Sequence, residues 1–163
     1  MSGRGGQVLE LAIPGFRQLE LTDAVCDYNG TLAFDGVLIE GVGERMRRLA
    51  SHLRLHVVTA DTFGTVVAQL HGLPCTIVIL DAANQAEAKR DFVQRLGAQR
   101  VAAIGNGRND RMMLGEAALG IAVCGGEGIA ADALQASDVV VGHIADALDL
   151  LLHPTRLLAT LRA

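Results

Sequence analysis

The sequence predicts an α/β fold in which a mainly parallel sheet lies between two layers of helices. Strand-like and helix-like segments alternate almost throughout, at about one unit per 25 residues, which favours right-handed crossovers between parallel strands. Half of the residues are hydrophobic but only 3% are aromatic, as expected for buried parallel strands and the helices that cover them. The 163 residues suit one domain. We therefore expect a single domain over 1–163, with 1–6 as a flexible N-terminus.

The first part of the chain predicts a hairpin and the first core strand. Residues 8–13 and 17–21 are short strand-like runs, and Pro14-Gly15 between them is a turn signal, so a β-hairpin that caps one edge of the sheet is expected. The apolar run that ends at Asp27 is the next strand. Residues 34–39 predict a small flap with a turn at Asp35-Gly36.

The remaining elements follow from short aliphatic runs and from helical spacing of apolar residues. Strands are predicted at 54–59, 75–80, 100–104, 119–123 and 138–141. Helices are predicted at 44–52, 63–71, 84–96, 111–117, 130–136, 145–152 and 154–161. Asn84 suits a helix cap and Gly97 suits a helix end. The segments on either side of 54–59 are too short to hold a separate cap domain.

Composition and charge exclude several classes of partner. The net charge of −4 gives no electrostatic basis for binding nucleic acid or an anionic membrane. No apolar run approaches the length that spans a bilayer. Cys26, Cys75 and Cys124 lack the paired spacing of a zinc site. We interpret them as reduced core residues, which predicts a cytoplasmic protein.

A carboxylate ends the strand that contains Val25 and Cys26. Asp27 follows this apolar run, and Asn29-Gly30 then predicts a tight turn, because glycine adopts backbone conformations that other residues avoid. Ligands bind at the carboxyl ends of strands in open α/β sheets. A carboxylate held there serves as a metal ligand or a nucleophile. The simpler alternative is a strand that ends in an Asx turn.

Residues 27–32, Asp-Tyr-Asn-Gly-Thr-Leu, resemble the first motif of the haloacid dehalogenase (HAD) superfamily of phosphatases and phosphotransferases, Asp-x-Asp-Gly-Thr-Leu. In that superfamily the first Asp attacks phosphorus and becomes an aspartyl phosphate, and the second Asp is usually the general acid/base. The resemblance implies that Asp27 is the nucleophile and that Asn29 occupies the acid/base position. Gly30 and Thr31 become candidates for phosphate binding.

Thr59 and Lys89 resemble the second and third HAD motifs. A hydroxyl group at a strand end can hydrogen-bond a phosphoryl oxygen without adding charge, and Thr59-Ala60-Asp61 is similar to the Thr-Gly-Asp of P-type ATPases. Ala60 and Asp61 are therefore further phosphate-binding candidates. Lys89 is the only lysine among 14 Lys and Arg residues, and the resemblance implies that it bridges the nucleophile and the phosphate. Taken singly, each has a simpler alternative: a β-branched strand residue and a solvated surface lysine.

Residues 105–110, Gly-Asn-Gly-Arg-Asn-Asp, resemble the fourth motif, Gly-Asp-Gly-x-Asn-Asp. The two glycines permit a tight turn from strand to helix. The resemblance implies a Mg²⁺ site built from oxygen ligands, with Asn109 contacting a phosphoryl oxygen or positioning the loop. The candidate metal ligands are Asp27, a carbonyl oxygen of Asn29, Asn106 and Asp110.

The resemblance covers nearly the whole chain and is closest to the lid-less, soluble P-type-ATPase-like group of the superfamily. Residues 59–65 and 84–87 and the Asn residues at 29 and 106 are similar to that group. Membership implies a Rossmann-like, three-layer αβα fold without a cap domain, Mg²⁺, and transfer of a phosphoryl group from a small phosphorylated substrate. Homo-oligomerisation is compatible with such a site, because a neighbouring subunit can complete it.

Asn29 decides what kind of activity is expected. An amide cannot transfer a proton, whereas a placed acid/base group contributes roughly 10²- to 10⁴-fold. We therefore expect a slow phosphatase or ATPase that works best on good leaving groups. Two alternatives stay open: a catalytically weak domain that binds a phosphorylated ligand or a protein for regulation, and a phosphotransferase whose acceptor is not water.

Overall fold

The structure, a computed structural model, describes residues 8–61 and 64–163. The described part begins with an antiparallel hairpin of β1 (Leu9–Ile13) and β2 (Arg17–Leu21). This hairpin is a separate two-stranded sheet, so the expectation that it caps an edge of the main sheet is wrong. One residue after β2, the chain enters an inner strand of the main sheet (Asp23–Asp27). The hairpin therefore packs at one end of the sheet, against a 3₁₀ turn at Ala98–Arg100. The predicted flexible segment 1–6 lies outside the described residues.

Within the described residues, the main sheet has six strands, and every neighbouring pair is parallel. After β3 (Asp23–Asp27), a small antiparallel hairpin of β4 (Ala33–Phe34) and β5 (Val37–Leu38) forms the predicted flap. The other main strands are β6 (Arg54–Thr59), β7 (Thr76–Ile79), β8 (Val101–Gly105), β9 (Leu119–Val123) and β10 (Val139–Val141). Their order is β10-β9-β8-β3-β6-β7, which places β3 inside the sheet, flanked by β6 and β8.

Seven helices accompany the sheet in the described residues. They are α1 (Val42–Leu49), α2 (Val66–Gln69), α3 (Gln85–Leu96), α4 (Arg111–Glu116), α5 (Ala131–Ala136), α6 (Ile144–Leu152) and α7 (Pro154–Leu161). α2 is shorter than the predicted 63–71: residue 63 lies outside the described part, and the chain leaves the helix at Leu70, just before Gly72 with φ 77°. Asn84 precedes α3 as predicted but makes no side-chain capping bond, while Gly97 ends that helix with φ 95°.

The side chains of β3 alternate between the two helical layers. Ala24 and Cys26 belong to the core shared with α1 and α6, whereas Val25 packs with Val93 of α3 and with α4. Since alternate residues of a strand share a face, Asp27 points toward the α3 side, as Val25 does. This alternation aims the carboxylate at the helix that contains Lys89.

Two further expectations can be compared with the structure. All three cysteines are free, but Cys75 is only half-buried and Cys124 is exposed, so only Cys26 fits the prediction of a core thiol. Cys124 follows β9 at the sheet's carboxyl edge and not within the apolar run. Among the helices that the structure describes, none is long and apolar enough to cross a membrane.

Candidate active site

Asp27 ends β3 in a buried position and is followed by a compact turn. Tyr28 donates a hydrogen bond from its hydroxyl to the carbonyl of Gly36 at 2.9 Å, which ties the flap to this turn. Gly30 has φ 79°, and a methyl group added there would lie 2.5 Å from Nδ2 of Asn106. Glycine at position 30 is thus required both by the backbone conformation and by the close approach of the fourth-motif loop.

Lys89 links the nucleophile candidate to the fourth motif. Its Nζ lies 2.8 Å from Oδ1 of Asp27 and 2.7 Å from Oδ1 of Asp110, and its side chain is buried. Burial disfavours the ammonium form, but the charges of the two carboxylates outweigh this effect and raise the pKa of Lys89. The prediction that this lysine approaches Asp27 is supported by these distances, and the alternative of a solvated surface lysine is wrong.

Asp110 is fully occupied by contacts within the protein. Oδ1 accepts from Lys89, and Oδ2 accepts from the backbone N–H groups of Asn106 and Gly107 at 3.0 and 2.9 Å. A methyl group at Gly105 would lie 2.6 Å from this carboxylate, so the turn is built around it. The geometry favours a role for Asp110 in holding Lys89 and the loop, and metal ligation by Asp110, as predicted from the resemblance, has less support.

The remaining oxygen atoms suit a hard divalent cation. Thr31 Oγ1 lies 3.2 Å from both Oδ2 of Asp27 and Oδ1 of Asn106, so these two oxygens lie close together. Oδ1 of Asn29 is buried and has no hydrogen-bond partner in the part of the chain that the structure describes. An oxygen-only donor set is what Mg²⁺ prefers, and the residues present fit such an ion. In the described part of the chain, no three His, Cys, Asp or Glu side chains form a metal cluster. The candidate ligands are instead one carboxylate, from Asp27, and the oxygens of Asn29 and Asn106.

A polar cavity of about 200 Å³ opens at the ends of β3, β6 and β8. Its lining consists of Asp27, Asn29, Thr59, Ala60, Gln85, Asn106, Gly107 and Asn109. The Thr59 hydroxyl oxygen accepts from the backbone N–H of Asp61 at 3.0 Å, which leaves its hydrogen free to donate into the cavity. Asp61 itself does not line the cavity: its Oδ1 accepts from the N–H of Val66 at 3.1 Å. This contact favours a structural role over the predicted phosphate binding.

Gln85 lines the cavity although the sequence did not single it out as a site residue. Asn109 donates from Nδ2 to Oε1 of Gln85 at 3.0 Å, and Oδ1 of Asn109 lies 3.4 Å from Nζ of Lys89. Gln85 is the first residue of α3, four positions before Lys89 and therefore on the same helical face. That spacing from a predicted site residue is the sequence signal that could have found it.

The loop after β9 also contacts the site. The side chain of Asn106 donates from Nδ2 to the backbone carbonyl of Gly128 at 3.2 Å. The backbone carbonyl of Asn106 accepts from the N–H of Ala130 at 2.9 Å. Glu127 of the same loop accepts from the N–H of Asp35 in the flap at 3.3 Å. The side chain of Asn106 thus joins two loops through its amide nitrogen while its oxygen points toward Thr31.

Burial and the neighbouring charge of Asp110 raise the pKa of Asp27 to about 7, against the opposing effect of Lys89. One ammonium group therefore faces two buried carboxylates, and the protein alone leaves the site short of positive charge. A cation at the oxygen set described above would supply it.

Comparison with known proteins gives one sequence relative and a shared fold. No protein-family model matches the sequence. An uncharacterized protein of Methanocaldococcus jannaschii is 52% identical over 64 residues, which are 39% of this chain and 69% of that protein. A provisionally assigned HAD superfamily (subfamily III A) hydrolase from Legionella pneumophila has a TM-score of 0.68 at 18% identity, over 86% of this chain and 88% of that one.

Two phosphatase structures have the same fold. The 3-deoxy-D-manno-octulosonate 8-phosphate phosphatase of Moraxella catarrhalis, in complex with magnesium, phosphate and KDO, has a TM-score of 0.63 at 19% identity, over 86% of this chain and 92% of that one. The cobalt-bound deoxy-D-mannose-octulosonate 8-phosphate phosphatase of Haemophilus influenzae has a TM-score of 0.63 at 16% identity, over 81% and 87%. The predicted α/β fold, with its parallel sheet and N-terminal hairpin, is confirmed.

Proposed function

Because this chain belongs to one family with the uncharacterized Methanocaldococcus jannaschii protein and has the fold of the HAD superfamily hydrolases, we propose that it is a phosphohydrolase that acts through an aspartyl phosphate on Asp27. The phosphatases that share its fold support a phosphoric-ester or phosphoanhydride as substrate. The observation that carries the proposal is the bridge from Lys89 to Asp27 and Asp110 beside the polar cavity.

The cavity supports a phosphoryl group as the part of the substrate that enters. About 200 Å³ accommodates a phosphoryl group and a few waters, so the rest of a small phosphorylated substrate lies outside. The Thr59 hydroxyl and the amides of Gln85 and Asn109 face this space and can bind phosphoryl oxygens without adding charge. Lys89 supplies the positive charge at the nucleophile.

The proposed reaction has two steps at phosphorus. In the first, a carboxylate oxygen of Asp27 bonds to phosphorus, the bond to the leaving-group oxygen breaks, and that oxygen takes its proton from water. In the second, a water oxygen bonds to phosphorus and loses a proton to solvent, the bond between phosphorus and Asp27 breaks, and inorganic phosphate leaves. The ammonium group of Lys89 lowers the pKa of Asp27 against the effect of burial and so favours the ionised form that attacks, and Asp110 holds Lys89 in place.

Bound Mg²⁺ would stabilise the charge that develops on the phosphoryl oxygens. Asp27, Asn106 and a carbonyl oxygen of Asn29 would hold the ion. Oδ2 of Asp27 and Oδ1 of Asn106 each lie 3.2 Å from Thr31 Oγ1, and Oδ1 of Asn29 is buried without a hydrogen-bond partner among the described residues. With Asn in place of Asp at 29 and 106, the site has two fewer negative charges than the superfamily motifs imply. We therefore propose weaker metal binding than a site with Asp at both positions would have.

Asn29 makes the proposed enzyme slow on poor leaving groups. It lines the cavity next to the nucleophile but cannot donate a proton to the leaving oxygen or accept one from water. We propose good leaving groups, such as acyl phosphates and nucleotide phosphates, as the better substrates. The same feature gives the aspartyl phosphate a longer lifetime, which favours transfer to an alcohol acceptor as the second candidate function.

Covalent trapping tests the proposal. The protein is incubated with acetyl phosphate and Mg²⁺, quenched in acid, and digested, and mass spectrometry locates the phosphoryl group. We expect it on the peptide containing Asp27, and we expect none in Asp27→Asn. Asp91→Asn, which removes an exposed carboxylate of α3 away from the site, is the matched control and should retain the label.

Three outcomes separate the candidate functions. Release of inorganic phosphate from the labelled protein supports hydrolysis, and label transfer to added glycerol supports the phosphotransferase. A beryllium fluoride adduct that forms with the wild type but not with Asp27→Asn supports either catalytic role, whereas binding of inorganic phosphate with neither adduct nor label supports a binding role. The absence of label, turnover and adduct contradicts the proposal.

A further inference from the structure

The outer side of β7 has backbone groups that no described residue pairs. Within residues 8–61 and 64–163, β7 is the last strand of the main sheet and pairs with β6 alone. The N–H of Leu80 donates to the carbonyl of Thr59 at 2.8 Å, so even-numbered residues of this strand bond toward β6. The alternation of a parallel ladder then turns the N–H and C=O groups of Ile77 and Ile79 away from the sheet.

This edge lacks the devices by which proteins protect open strands. Residues 75–80, Cys-Thr-Ile-Val-Ile-Leu, contain no charge and no proline, and the pairing with β6 runs without a bulge. Ile79 is 53% exposed. The opposite edge, β10, is only three residues long and begins next to the charged Asp138. An uncharged, regular edge of this kind is a template for pairing with another strand.

We propose that β7 is a dimerisation edge that pairs with β7 of a second copy of this chain, antiparallel about a two-fold axis at Val78. The register follows from the backbone. The N–H and C=O groups of Ile77 and Ile79 point outward, so Ile77 pairs with Ile79 of the partner subunit. By the two-fold symmetry, Ile79 also pairs with Ile77 of the partner subunit, and these two pairs form the ladder. Val78 then lies opposite Val78 of the partner subunit as a close pair without hydrogen bonds, with Cα atoms about 4.5 Å apart.

A second copy fits this edge better than an unrelated peptide. In a two-fold dimer, the outward N–H and C=O groups of Ile77 and Ile79 form hydrogen bonds with the same groups of the second copy, and the arrangement is closed. No like charges meet within the ladder. Pro74 lacks an N–H and ends the ladder on one side, while Cys75 lies opposite Asp81 of the partner subunit. Val67 of α2 is 61% exposed and adds apolar surface, because α2 and Ile77 pack on the same side of the sheet.

The strength of the dimer follows from the size of the contact. A strand of four residues with one exposed helical turn is smaller than the roughly 800 Å² per partner of a standard interface. We therefore expect a dimer that dissociates with a Kd on the order of 10–100 μM. Its formation does not require catalysis, so this inference stands apart from the proposed function.

Sedimentation velocity over a range of protein concentrations tests the edge. The wild-type protein should shift from monomer to dimer as concentration rises. Ile79→Lys should weaken the association at least about tenfold, because a lysine on an edge blocks strand pairing. Val140→Lys is the matched control: Val140 is 47% exposed on β10, and its substitution should leave the dimer unchanged. A wild-type protein that stays monomeric at about 1 mM, or equal effects of both substitutions, overturns the proposal.

Disulfide formation tests the register and does not depend on Ile79→Lys folding well. In a Cys75→Ser, Cys124→Ser background, Val78→Cys should form a disulfide-linked dimer when oxidised glutathione accepts the two electrons, since a close antiparallel pair has suitable Cα spacing. Val140→Cys, exposed on the opposite edge strand β10, is the control and should cross-link much more slowly. Equal rates for the two variants, or no cross-link at position 78, overturns the two-fold register.

Discussion

Nζ of Lys89 lies 2.8 Å from Oδ1 of Asp27 although the two residues are 62 positions apart. The same ammonium lies 2.7 Å from Oδ1 of Asp110, and all three side chains are buried. Two buried carboxylates are therefore held together by one cation. Stability and catalysis should both depend on this group.

Lys89→Met should destabilise the metal-free protein by about 3–5 kcal/mol, because removing one partner leaves buried charge without compensation. The loss should be smaller near pH 5 than near pH 8, since a carboxylate at this site can take up a proton at the lower pH. Denaturant unfolding at both pH values measures the effect.

Arg90→Met is the control for this substitution. Arg90 is on the same helix and pairs with Asp91 at the surface, and such exposed pairs contribute about 0–1 kcal/mol. A Lys89→Met protein no less stable than Arg90→Met would show that the bridge is not a structural element.

Lys89→Arg should recover little activity, because a planar guanidinium does not replace a compact ammonium between two carboxylates.

Asn29→Asp should increase the hydrolysis of poor leaving groups. A carboxylic acid at this position can protonate the leaving oxygen and later activate water, a contribution of roughly 10²- to 10⁴-fold when well placed. We expect a gain of at least about tenfold in kcat on an alkyl phosphate, and a smaller gain on an acyl phosphate, which needs no acid. Steady-state kinetics with both substrates measures the difference.

Asn29→Ser separates acid/base chemistry from altered packing. It removes the amide without adding a titratable group, so it should give no gain on either substrate. If Asn29→Asp is as slow as the wild type on the alkyl phosphate, the explanation of slow turnover by Asn29 fails.

Much of the fold could be predicted because each element has a local pattern. Strands 17–21, 54–59 and 119–123 and helix 154–161 were predicted with the bounds that the structure has. The aliphatic runs fix these strands, and Pro154 at the first helical position fixes the last helix. The hairpin's place at the end of the sheet was not predictable in this way, since it depends on contacts with Ala98–Arg100, distant in sequence.

The site shows the same division between local and long-range information. The resemblance to the HAD motifs implied that the side chains of Asp27, Thr59, Lys89 and Asp110 lie around one site. The structure joins Asp27 and Asp110 through Lys89, and Thr59 lines the same cavity as Asp27. The resemblance could not predict how each oxygen is used. Asp110 has both oxygens occupied, and Asp61 bonds the N–H of Val66 outside the cavity lining, because those contacts are set by loop geometry that no short pattern encodes.

Asn106→Asp should have opposite effects with and without metal. Nδ2 of Asn106 donates to the carbonyl of Gly128 at 3.2 Å, and a carboxylate would place an oxygen against that carbonyl. The metal-free protein should lose about 1–3 kcal/mol of stability. The added negative charge should tighten Mg²⁺ binding, so saturating Mg²⁺ should stabilise the variant more than the wild type.

Thermal unfolding with and without Mg²⁺, together with titration calorimetry, measures both effects. Asn106→Ala is the control, because it removes the same hydrogen bond without adding charge and should gain no Mg²⁺ affinity. A metal-free Asn106→Asp protein as stable as the wild type would show that the Gly128 contact does not hold this loop.

The titration of Asp27 gives a prediction about stability and pH. Burial and the charge of Asp110 raise its folded-state pKa from 3.8 to about 7, so between these values the folded protein binds more protons at this site than the unfolded chain. Stability from this group is therefore fully present below about pH 4 and is lost as pH rises through about 7, by up to about 4 kcal/mol in total. Asp27→Asn lacks this group and should gain stability relative to the wild type over the same range.

Unfolding free energies of the two metal-free proteins, measured in EDTA between about pH 5 and pH 8, test this expectation through their difference. Other groups, such as Asp23 with its lowered pKa, change the unfolding free energy of both proteins equally. Their contributions therefore cancel in the difference. Saturating Mg²⁺ should remove the pH dependence of the wild type, because a bound cation favours the ionised carboxylate. A difference between the proteins that stays constant with pH would mean that Asp27 is ionised throughout, and that Lys89 alone offsets its burial.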